Sequence, residues 1–191
     1  MTLPQLVGLL AVALVLLIAG FTVLTSYNAV VALRQRIDKA WANVDVALKQ
    51  RHDQLPNLVA AVRGAMTFEQ DVLSEVTRAR AAYAPTAPLH DQAVISDLTT
   101  SAIRSLFAAV ENYPVLKSMT NVADLQNEIE RLENIIAHRR ELYNDQVYRY
   151  NTRISQVPGV LLAPLFAWRM REFFAAEPAE SEDPDTSLRR T

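Results

Sequence analysis

The chain has 191 residues, half of them hydrophobic, and its 19 basic and 21 acidic side chains leave a net charge of −2. A balance this close to neutral excludes the basic footprint of a nucleic-acid binder. The absence of cysteine excludes disulfides and thiolate metal sites, and 4 glycines are too few for a turn-rich β fold or a phosphate-cradling loop.

Residues 3–25, LPQLVGLLAVALVLLIAGFTVLT, carry no charge, and the first charged side chain is Arg34. About 20 such residues cross a hydrocarbon core of about 30 Å. A cleaved signal peptide needs a basic start and a small-x-small site. No Lys or Arg precedes the run, and Ile18-Ala19-Gly20 matches poorly. A buried core helix of this length would show a polar side. Residues 1–26 are therefore expected to be an uncleaved single-pass membrane anchor, with the lipid bilayer as its partner. Arg34, Arg36 and Lys39 follow it, so the positive-inside rule places the rest of the chain in the cytoplasm.

The next apolar positions, Val30, Leu33, Ile37, Trp41, Val44 and Leu48, step by three and four and predict a helix over 28–53 with Trp41 in its core stripe. Pro56 removes an amide donor and disfavours the helical region at Leu55. Asp53 is placed to cap a new helix. A tight reversal is expected here, with a kink in one continuous helix as the alternative. Leu58, Val62, Met66, Val72, Val76 and Ala79 extend a second stripe over 55–83, with Phe68 inward and Glu69 at its edge.

The run YNAVVALRQRIDKAWANVDVALKQRHDQLPNLVAAVRG resembles the opening of the LemA family of bacterial membrane-anchored proteins. The elements that carry the resemblance are Tyr27-Asn28, Trp41, and Arg51, Asp53, Pro56, Asn57 and Leu58, with Glu69 and Ala79-Arg80 further on. The chain departs from the family's pattern at Phe68, where a histidine is common. The resemblance implies a helical-bundle domain and membrane attachment, and it carries no reaction.

Ala84-Pro85-Thr86-Ala87-Pro88 is a breaker segment. Ile95, Leu98, Ala102, Leu106 and Ala109 predict a third helix over 90–112, followed by a loop through Tyr113, Pro114 and Lys117. Val122, Leu125, Ile129, Leu132, Ile136, Tyr143, Val147, Tyr150 and Ile154 predict a fourth over 120–157. Arg139 takes an inward place in that stripe, either paired with an acid or turned outward. Tyr143-Asn144 and Tyr150-Asn151 recur seven residues apart, so each residue type stacks on its own side. Glu128, Glu130 and Glu133 read as a charged, solvated face. The run from Leu132 to Phe174 again resembles the LemA family in its Glu-Asn, Tyr-Asn and closing Glu-Phe-Phe elements, with Ile135 where a basic residue is usual.

The expected fold is all-α: a transmembrane helix at 1–26, an antiparallel up-down-up-down four-helix bundle at 27–157, and an apolar, aromatic segment at 158–176. A disordered acidic tail follows at 177–191. His52, His90 and His138 show no ligand spacing, so no catalytic residue, cofactor or metal is expected. An interaction or scaffold role with a protein partner is the leading reading, ahead of envelope lipid binding or remodelling and of a hydrolase or metal-dependent enzyme. The candidate interaction tip is Arg51, Asp53, Pro56, Asn57, Tyr113, Pro114 and Lys117. The candidate membrane interface is Leu162, Leu165, Phe166, Trp168, Arg169, Arg171 and Phe173.

Overall fold

The computed structural model describes residues 3–63 and 70–175. The described residues are helical with no strand: α1 (Leu3–Arg63), α2 (Gln70–Ala81), α3 (Leu89–Val110), α4 (Pro114–Lys117), α5 (Thr120–Ser155) and α6 (Gly159–Leu162). Met66, Phe68, Glu69 and the acidic tail lie outside the described residues. The chain forms two compact units. Among the described residues, one takes in the chain up to Ala47 together with Asn134–Phe173, and the other Leu48–Glu133 with Phe174 and Ala175.

In the first unit, α1 changes character along its length. Residues 3–22 are exposed throughout, including Leu10, Leu14, Leu17 and Phe21. From Val23 a buried side appears, through Ser26, Val30, Ile37, Val44 and Ala47. α5 packs against it. Trp41 meets Tyr143 edge-on with ring centroids 5.6 Å apart. The Arg139 guanidinium donates to the Asn43 carbonyl at 2.6 Å, so this inward arginine is partnered by backbone rather than by an acid. The pairings run in opposite order along the two helices, which are therefore antiparallel. Trp41 is half-buried, at the edge of the stripe.

The second unit corrects the expected reversal at Pro56. α1 continues through Pro56 to Arg63, and α2 begins at Gln70 rather than near residue 55. The reason is visible in the burial. Val44, Leu48, Arg51, Leu55, Leu58 and Val62 are all buried, at steps of three and four that run through Pro56 without a change of phase. One missing donor and one crowded turn cost about 3 kcal/mol, and continued burial of this stripe offsets it. Asp53 is accordingly not a cap. Asp53 sits beside His52, and Asn57 donates to Gln54 at 3.1 Å.

Leu55, Leu58, Val59 and Val62 share one core with Leu73 and Val76 of α2, Ala102, Ile103 and Leu106 of α3, Leu116 of α4 and Ile129 of α5. The first half of α3 has its buried side rotated from the expected stripe, while Ala102, Leu106 and Ala109 are buried as expected. Leu98 is 58% exposed, while Gln92, Ser96 and Thr99 are buried. Pro114 opens the short helix α4 where only a loop is expected, and its missing N–H costs nothing in the first turn. α5 is one uninterrupted helix, as its lack of Gly and Pro allows.

Candidate functional site

Two groupings gather the residues singled out in the sequence, one in each unit. The first centres on Arg51, 3% exposed. Its Nη1 donates to Glu133 Oε1 at 2.7 Å and to Thr100 Oγ1 at 2.9 Å. Its Nη2 reaches Ser96 Oγ at 3.1 Å and the Ser96 carbonyl at 3.3 Å. Thr100 Oγ1 also lies 2.8 Å from Glu133 Oε2. A guanidinium can sit here because each of its terminal nitrogens has an acceptor and Glu133 supplies the countercharge.

This explains the rotation of α3, which turns hydroxyl groups toward α1 to receive the arginine. It also corrects the reading of Glu133 as part of a solvated face. Glu128 does lie on that face. Its hydrogen bond from Arg131, at 2.6 Å, holds its carboxyl below the usual carboxylate range. Beside the cluster, His52 stacks on Tyr83 with centroids 4.5 Å apart. The Gln92 amide donates to the Pro85 and Ala87 carbonyls, pinning the breaker segment. The cavity next to them is about 20 Å³, room for about one water.

Arg51 is thus an internal residue rather than part of an exposed tip. Asp53 and Asn57 are exposed and Pro56 is half-buried, all within α1. Pro114 and Lys117 are exposed, with Lys117 paired to Glu111. Tyr113 is half-buried against the core.

The second grouping is the end of the first unit. After α5 the chain coils back. A Cβ on Gly159 would stand 2.2 Å from the Arg153 carbonyl oxygen, so only glycine permits this approach. Ala167 then takes a left-handed φ of 53°. This brings Phe166 and Trp168 together, stacked at 5.2 Å, and both meet Tyr27 of α1, at 5.1 and 6.3 Å.

Past Trp168 the chain is irregular and is held against α5. The Asn151 amide donates to the Arg171 carbonyl, and its oxygen accepts from the Arg171 N–H, both at 2.9 Å. The Tyr143 hydroxyl donates to the Glu172 carbonyl at 3.1 Å. Burial pushes the Tyr143 hydroxyl up from its ordinary pKa, with the nearby Arg171 charge opposing and Glu172 and Asp38 reinforcing the shift. Of the membrane-interface residues expected from sequence, Leu162 and Trp168 are buried and Phe166 half-buried. Leu165, Arg169, Arg171 and Phe173 are exposed. The clamp residues Tyr143 and Asn151 had a signal in the sequence, the Tyr-Asn pairs seven residues apart. Glu133 had one in the Glu-Asn element of the family resemblance, and Ser96 and Thr100 had none.

Among the described residues no three His, Cys, Asp or Glu side chains come together as a metal site. A protein-family model described as the LemA family matches residues 40–188. Two proteins of Paramagnetospirillum magneticum, magnetosome protein MamQ 1 and magnetosome protein MamQ 2, are each 25% identical over 184 residues, covering 83% of this chain and 68% of theirs. Magnetosome protein MamQ of Magnetospirillum gryphiswaldense is 24% identical over 198 residues, covering 90% of this chain and 73% of its own.

Proposed function

Since the chain belongs to the LemA family, we propose that it is a single-pass inner-membrane protein that holds a helical bundle at the cytoplasmic surface for a protein partner. The observation that carries the reading is α1 itself. One helix begins with about six turns of exposed, uncharged surface and passes without a break into a stripe of buried residues. An apolar helix surface of that length has no stable place in water. Among the described residues no buried side-chain polar group lacks a hydrogen-bond partner.

Alkaline extraction of membranes tests the anchor. The full chain is expected in the pellet, and a chain lacking residues 3–25 in the supernatant. A reporter active only in the periplasm, fused after Glu177, tests orientation and is expected to be silent. Photocrosslinkers at Asn57 and Lys117, compared with one at exposed Tyr148, test the interaction surface. The reading expects proteins captured from the first two positions that Tyr148 does not capture. The same set from all three would leave that surface with no special role.

A further inference from the structure

We propose that residues 157–165 make a second contact with the membrane, laying Leu161 and Leu165 into the boundary between headgroups and acyl chains of the leaflet from which α1 emerges. The inference rests on the reading that residues 3–25 span the bilayer. Its first support is where packing on α1 begins. Val23 is half-buried and Ser26 is 2% exposed, whereas Phe21 and Leu24 are 69% and 64% exposed. Protein cover therefore starts well inside the uncharged run, before the first charge at Arg34. Tyr27, at that boundary, is where Phe166 and Trp168 pack.

The second support is composition. From Ile154 to Trp168 no residue is charged, and Arg153 and Arg169 bracket the stretch. Apolar segments with aromatic and basic flanks suit the interfacial zone. The third is which side chains are left outside. Leu162 and Trp168 are buried, but Val157 is 75% exposed, Leu161 71% and Leu165 74%. The outward positions of this short coil are as apolar as the lipid-facing side of α1. Leu165 adjoins Phe166, which packs on Tyr27 where that side ends.

The same geometry sets a limit to the contact. Arg171 Nη2 lies 3.9 Å from Asp38 Oδ1, and Asp38 is about 16 Å along the axis from Tyr27 at roughly 1.5 Å per residue. Interfacial segments sink about 5–10 Å, so Arg171 and Phe173 stand outside the contact.

The chain has no cysteine, so single nitroxide labels can be placed in the full-length protein reconstituted in phospholipid vesicles. The positions are Leu14→Cys, Leu98→Cys, Leu161→Cys and Leu165→Cys. All four side chains are exposed, and unchanged circular dichroism checks that each variant folds. The inference expects oxygen to relax the labels at 161 and 165 more than a water-soluble nickel chelate does, as at 14, with the order reversed at 98. If 161 and 165 follow 98 while 14 stays with lipid, the second contact is overturned and the anchor stands. If 14 also follows 98, the anchor reading fails and the inference falls with it.

Discussion

Arg51 shows how one side chain can tie several helices together. Its partners come from α3 and α5, and Glu133 keeps 22% of its side chain exposed. Breaking such a pair leaves a buried charge without a countercharge. Glu133→Ala is expected to cost about 3 kcal/mol, at the low end for a buried pair because of that partial exposure. The double substitution Arg51→Met with Glu133→Leu removes the charge together with its partner, so its loss in urea denaturation is expected to be smaller than that of Glu133→Ala alone. Tyr143 supplies a pH test. Its folded pKa is raised above the unfolded value of about 10. The stability it contributes is therefore present below that value and lost as pH rises through the folded pKa. Tyr143→Phe is expected to flatten the alkaline limb of a stability-against-pH curve.

At the scale of elements, α1 decides how the rest is arranged. If Pro56 sat at a turn, Pro56→Ala would weaken the protein, because proline limits the unfolded chain where its φ already suits the fold. Inside a helix the same change restores a donor and relieves a clash. Thermal denaturation is expected to show Pro56→Ala more stable by about 1–3 kcal/mol. Gly159→Ala is expected to act the other way, costing about 1–3 kcal/mol by pushing the coil off the end of α5. Much of this layer was legible in the sequence. Uncharged length gave the apolar start of α1, and three-four periodicity gave α5 and the core positions Val30, Ile37 and Val44. Pro56 misled because a local breaker was weighed above a periodicity that continued on both sides of it. Leu98 misled for the opposite reason. Hydrophobicity alone sets a helix's inward side only where the facing helix is apolar, and here it presents an arginine. The clamp of Asn151 on Arg171 pairs a side chain with main chain, so the Tyr-Asn spacing marks the residue without its partner.

At the scale of the whole molecule, the two units differ in how far apart their parts lie along the chain. The second is built largely from the continuous stretch Leu48–Glu133, whereas the first joins residues up to 47 with residues from 134 onward. Contacts between distant parts of a chain form slowly, because loop-closure entropy is lost before they stabilise anything. During translation this difference becomes an order of events. Synthesis proceeds at about 5–20 residues per second and early segments fold first. The partners of Tyr27, at 166 and 168, are made last among the described helical and turn segments. Nascent chains arrested once Glu133 has cleared the ribosome are expected to resist limited proteolysis within 70–133 while being cut within 27–47. Chains arrested beyond Phe174 are expected to resist in both. Until then Val30 and Ile37 stand uncovered next to the membrane. The stacking of Phe166 and Trp168 on Tyr27 thus reports that synthesis has passed Trp168, and a copy terminated before it is expected to leave that apolar stripe exposed.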